Sequence, residues 1–99
     1  MPREARRDRR TRIPEHVVHR DFPGETVVLN LETGQYHGLN ATAGRMFAAL
    51  QEAGSIGTAA ITLADEFGMA REQIERDLVD LCNALADRGL LEIHDVQAA

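Results

Sequence analysis

The hydrophobic pattern changes period once along the chain, near Asn40, dividing it into an extended half and a helical half. Upstream, His16-Val17-Val18-His19-Arg20 is short and rich in β-formers, and Phe22-Pro23-Gly24-Glu25 carries turn chemistry. Thr26-Val27-Val28-Leu29-Asn30-Leu31 follows, with Val27, Leu29 and Leu31 on one face by period two. Glu32-Thr33-Gly34 is a tight connection in which Gly34 is free to take positive φ, and Gln35-Tyr36-His37-Gly38-Leu39 reads as the returning strand. Three short strands joined by short turns make an antiparallel meander.

Downstream, Asn40 is a good N-cap, and Ala43, Met46, Phe47 and Leu50 mark one helical face that runs to a stop at Gly54. A second helix is predicted from about Thr58 to Phe67, with Ile61, Leu63, Ala64 and Phe67 apolar and Gly68 at its end. The third runs from about Arg71 to Arg88 with Ile74, Leu78, Leu81 and Leu85 as its seam, and Gly89 supplies the residue beyond the cap. Leu90-Leu91-Glu92-Ile93 is a short extended end, room for one more strand. Strands followed by three helices describe an α+β domain: an N-terminal three-stranded antiparallel sheet, then a helical half with winged helix-turn-helix proportions. Residues 1–13 read as a flexible arginine-rich tail, 14–93 as the folded domain and 94–99 as a frayed end.

Composition narrows the chemistry. Ninety-nine residues allow one small domain with a thin core. No run approaches the ~18 apolar residues of a membrane span, and the arginine-rich N-terminus is unlike a signal peptide, so a cytoplasmic protein is expected. A single cysteine excludes an internal disulfide and any multi-cysteine zinc site. The absence of lysine removes Schiff-base and P-loop chemistry. Charge is divided: residues 3–12 hold six arginines against Glu4 and Asp8, while the rest holds five arginines against fourteen carboxylates. An acidic domain is a poor partner for nucleic acid.

The reactive residue types have ordinary roles. Cys82 falls inside the third helix and reads as a buried thiol, and Ser55 as a turn or cap residue. His16 and His19 are three apart in a strand, which sends them to opposite faces, so His16, His19 and His37 make a poor metal site. Gly34 and Gly38 lack any phosphate-loop spacing. No catalytic residue, metal or cofactor is predicted. As a recognition helix for DNA, the third helix would present Glu72, Glu75, Asp77, Asp80 and Asp87 against Arg71, Arg76 and Arg88, which repels phosphate; a small winged-helix DNA-binding regulator is the alternative function. A three-stranded meander also leaves an edge strand, and an edge beside a helix can take up an extended peptide.

Val27 to Ala43, with Leu31-Glu32-Thr33-Gly34-Gln35-Tyr36-His37-Gly38-Leu39-Asn40 at its centre, resembles the corresponding segment of PqqD-like proteins. Leu63-Ala64-Asp65-Glu66-Phe67-Gly68, Asp77-Leu78 and Gly89-Leu90-Leu91 follow the same pattern, so the resemblance covers about residues 14–93. It implies a RiPP recognition element: a non-catalytic domain that binds the leader of a ribosomally made precursor peptide as an added strand beside the third strand and third helix. Members from pyrroloquinoline-quinone pathways would carry Pro-Glu where Leu39-Asn40 here runs into Ala41-Thr42. The stand-alone length and the run around Tyr36 are more similar to the leader-binding proteins of lasso peptide biosynthesis. These work beside a leader peptidase and a ring-forming synthetase, with neither nucleic acid nor membrane as a partner.

On that resemblance, Gln35, Tyr36, His37 and Gly38 would offer backbone hydrogen bonds. Asp77, Leu78, Leu81, Ala84 and Leu85 would face the peptide from the third helix, with Arg88 on the same flank. Val79, Cys82 and Ala86 would turn toward the other helices. Adjacent strand residues point to opposite faces, and Tyr36, with its larger apolar body, is expected at the cleft wall and His37 toward solvent.

Overall fold

The computed structural model describes residues 9–94. Five strands and three helices follow in the order β1 (Arg10–Arg12), β2 (Val17–Phe22), β3 (Glu25–Asn30), β4 (Tyr36–Asn40), α1 (Ala41–Ala53), α2 (Ile56–Phe67), α3 (Arg71–Asp87) and β5 (Glu92–His94). The expected meander is present as the antiparallel sheet β2-β3-β4, followed by the three helices. Its turns are built as the sequence predicts, with Gly24 and Gly34 at φ 77° and 79°.

Helix ends follow local chemistry. Asn40 Oδ1 accepts the Ala43 N–H at 2.8 Å, and Ser55 Oγ accepts the Thr58 N–H at 3.3 Å. The Ser55 cap starts α2 at Ile56, two residues earlier than expected. Gly54 and Gly68 end α1 and α2 in the left-handed conformation, and Gly89 at φ 69° follows the Arg88 cap of α3.

One core joins the sheet to the helices. Val17, Val28 and Leu39 face Met46, Phe47 and Leu50 of α1, and Ile56, Leu63, Ile74, Leu78, Cys82 and Leu85 close the helical side with Leu90 and Leu91. Ile61, expected on the apolar face of α2, is 55% exposed, because that helix buries Ile56, Ala59, Ala60 and Leu63 instead. A bidentate pair ties α1 to α2: Arg45 Nε and Nη2 each donate at 2.8 Å to Glu66, and those bonds hold the Glu66 carboxyl below its ordinary range.

Two points change in the strands: the face that Val27, Leu29 and Leu31 share acquires a side, and one segment leaves the expected tail. Val27, Leu29 and Leu31 do share a face, but it is the outer one: Leu31 is 60% exposed, whereas Thr26, Val28 and Asn30 are buried. The helices cover only one side of the sheet, so the alternation of the better apolar series does not decide which side becomes the core. The second change concerns residues 9–13, placed in the flexible tail by their composition. Arg10–Arg12 pair antiparallel with Glu92–His94. Arg9 C=O accepts the Ile56 N–H at 2.9 Å, the Thr11 N–H donates to Gly54 C=O at 3.0 Å, and Ile13 rests on the core. The Arg12 guanidinium lies 3.1 Å from Glu92 Oε1, with His94 Nε2 3.3 Å from the same oxygen; both hold the Glu92 carboxyl below its usual range. Residues 1–8 of the expected tail and 95–99 of the expected frayed end lie outside the described residues. Among the described residues no helix is long and apolar enough to cross a membrane.

Candidate functional site

The sheet order leaves β4 with a neighbour on one side only. Its register with β3 is set at the turn, where the Asn30 N–H donates to Gln35 C=O at 2.8 Å and the Gly34 N–H to Asn30 C=O at 2.8 Å. Hydrogen-bonded and non-hydrogen-bonded pairs alternate in an antiparallel ladder. His37 and Leu39 therefore turn their backbone groups inward to β3, as Gln35 does its carbonyl while its N–H donates to Thr33 Oγ1 at 3.1 Å, and Tyr36 and Gly38 direct theirs away from the sheet along the free edge. Of the four residues expected to offer backbone bonds, these two are the ones whose groups are available.

The same alternation reverses the side-chain assignment made for Tyr36 and His37. Tyr36 stands opposite Leu29, which stands opposite Val18, so its ring lies on the outer face, where it is 65% exposed. His37 stands opposite Val28 on the side the helices cover, and is half-buried. Side-chain size suggested Tyr36 for the helix side; strand parity decides otherwise.

An open groove of about 490 Å³ runs along this edge, lined by Thr33, Gly34, Gln35, Tyr36, His37, Gly38 and Arg88. It brings Gln35 to Gly38 together with the last residue of α3. Asp77, Leu81 and Ala84 form, with Arg88, one stripe of α3 at helical spacing, and the first three are half-buried; they do not line this groove. Leu78 and Leu85, expected to face a peptide, have no exposed surface and belong to the core. Of the flank expected to turn toward the other helices, Cys82 is fully buried, and Val79 and Ala86 are half-buried. Burial pushes the Cys82 thiol up to about 12, which makes it unreactive at neutral pH.

Asn30, which the sequence reading passed over, holds the two sides of the groove in place. Its buried side chain accepts the N–H groups of Glu32 and Thr33 at 2.9 and 3.2 Å through Oδ1. Its Nδ2 donates at 2.9 Å to the carbonyl of Gly89, the residue after Arg88. An asparagine opening a turn is a readable signal for the first pair of bonds. Its third partner, 59 residues away, is not.

Other expected centres are quiet. His16 Nδ1 sits 3.6 Å from Glu32 Oε2, and His19 stands edge-on to Phe47 with ring centroids 5.4 Å apart. Among the described residues no three histidine, cysteine or carboxylate side chains gather where a metal could be held.

A small sheet whose edge strand β4 is bare and flanked by the end of a helix has the architecture of domains that capture extended chains by strand addition. The family model of coenzyme PQQ synthesis protein D (PqqD) matches residues 25–91, and the chain belongs to that family. Among solved structures, TbiB1 in complex with the TbiA(beta) leader peptide is 36% identical with a TM-score of 0.74, covering 82% of this chain and 94% of that one. Lasso peptide synthetase B1 complexed with the leader peptide is 25% identical with a TM-score of 0.72, covering 84% and 98%. No curated protein matches the chain.

Proposed function

We propose that this protein binds the leader segment of a ribosomally made precursor peptide, in lasso peptide biosynthesis, and presents it to a leader peptidase and a ring-forming synthetase without catalysing a step itself. The observation that carries the reading is the free β4 edge, where Tyr36 and Gly38 point unpaired backbone groups toward an open groove. Its place in a chain that matches leader-bound structures over nearly their whole length supports it. The leader adds as a fourth strand on β4, with alternate side chains facing α3. Gln35 and His37 frame the groove with their side chains, and Asp77, Leu81 and Ala84 offer the half-buried flank of the helix. Leu78 and Leu85 support that flank from within the core.

The reaction chemistry belongs to the partner enzymes. Cys82 is sealed in the core, and among the described residues His16 and His94 each meet a single carboxylate, Glu32 and Glu92. The acidic surface of α3 gives no support to a DNA-binding function.

Calorimetric titration with the leader of the precursor encoded beside this chain's gene tests the proposal, combined with amide chemical shifts of the labelled protein. Binding at micromolar concentration with the largest shifts at Tyr36 and Gly38 is expected. No heat, or shifts confined to β2 and α1, would overturn it.

A further inference from the structure

Resting on the strand-addition site just described, we infer that Arg88 imposes a charge requirement on the peptide: the segment bound along β4 must carry an aspartate or glutamate among its helix-facing side chains.

The two arginines of α3 and the Arg88 that caps it are in different situations. Arg71 Nε lies 3.8 Å from Glu75 Oε2, one turn along the helix. Arg76 lines a separate groove whose other charged residues are Glu72, Glu75 and Asp80. Arg88 lines the β4 groove with Thr33, Gly34, Gln35, Tyr36, His37 and Gly38, so no carboxylate shares its groove. It makes no ion pair with any described residue. A cation is thus presented beside the free β4 edge, at the end of a helix otherwise dominated by acid.

The backbone that carries it is set in advance. Arg88 caps α3, its N–H donating to the carbonyls of Leu85 and Ala86, and the Gly89 carbonyl is held by Asn30. Asn30 also fixes Glu32 and Thr33 in the turn that leads into β4. The backbone that carries the cation and the strand edge therefore share one anchor, and the ordering left to binding is that of the exposed Arg88 side chain and of the peptide. A guanidinium recognises a carboxylate through paired charge-assisted hydrogen bonds, which demand a particular position as well as a charge. The chain as a whole carries a net charge of −5, so a generally acidic peptide is repelled at distance. What Arg88 selects is one carboxylate in register. Strand alternation then places it an even number of residues from any apolar side chain that packs on Leu81 or Ala84.

A cation at a helix C-terminus also eases the helix dipole, so the test needs a readout that a capping role leaves unmoved. Random 12-residue peptides displayed on phage are selected against the full chain and against Arg88→Glu and Arg88→Gln, with thermal melts confirming that each variant is folded. Wild type is expected to enrich Asp or Glu at one position of a shared register. Arg88→Glu should enrich Lys or Arg at that position, and Arg88→Gln should show no charge preference there. A synthetic peptide from the wild-type selection should bind Arg88→Glu about tenfold or more weakly, and its Lys-substituted form should recover affinity for that variant. If Arg88→Glu does not fold, the Arg88→Gln comparison decides. Peptides that shift the Tyr36 and Gly38 amides yet show no acidic position would overturn the charge requirement and leave the binding site standing. Peptides that bind elsewhere, or no enrichment on any variant, would overturn both.

Discussion

Replacing Asn30 with alanine tests the idea that one buried amide holds both walls of the groove. The substitution removes three side-chain hydrogen bonds, two accepted from the turn and one donated to Gly89. At ~0.5–1.5 kcal/mol each, with the Gly89 carbonyl left short of a partner, the loss is about 3 kcal/mol. A chain of this size has ~5–15 kcal/mol to lose, so the effect is large yet compatible with folding. Equilibrium urea unfolding followed by circular dichroism reads it directly. With a slope of ~1.5 kcal/mol per molar, the midpoint should fall by about 2 M. Asn30→Asp separates bonding from size. It keeps the acceptor that serves the turn but sets a carboxylate against the Gly89 carbonyl at the negative end of α3, so at pH 7 it should be as damaging as alanine. That carboxyl's pKa is raised in the folded state, so stability should return as the pH falls and a protonated oxygen can donate again. A loss below ~0.5 kcal/mol for Asn30→Ala, or wild-type stability of Asn30→Asp at pH 7, would refute the reasoning.

Two further expectations follow from the same structure. Deleting residues 1–12 strips β1 from β5 and from the α1–α2 junction and should lower the urea midpoint below that of a chain lacking residues 1–8 alone; equal midpoints for the two truncations would show that β1 contributes nothing. Cys82 should resist a thiol reagent in the native protein at pH 8 and react promptly in urea. Because its folded pKa lies above the unfolded value, folding stability should also decline as the pH rises above about 9, and stoichiometric labelling of the native protein would contradict its burial.

Much of this fold is written in short stretches of sequence. Asn40, Gly54, Gly68 and Gly89 act within a few residues of themselves through caps and positive φ, so the three helices and their ends were legible without tertiary information. The meander was legible for the same reason, since Gly24 and Gly34 choose tight turns locally. Strand parity was legible too, but not its sense. Alternation puts Val27 and Leu29 on one face of β3, and only the packing of α1 makes the other face, with Val28, the core side. That choice then propagates across the register, putting Tyr36 outward and His37 inward. In α3 the seam of Ile74, Leu78, Leu81 and Leu85 was evident, yet only packing showed Leu78 and Leu85 fully enclosed and Leu81 half open. β1 carries no apolar period at all; it exists because the backbone of Arg10–Arg12 finds that of Glu92–His94, some eighty residues away. The groove has the same origin. The resemblance pointed to Gln35–Gly38 and to the flank that ends at Arg88, but it is the bond from Asn30 to Gly89 that brings the turn and the helix end together. Local chemistry thus determined the elements, while the side of the sheet that faces the helices, and therefore the site, was decided by contacts between distant residues.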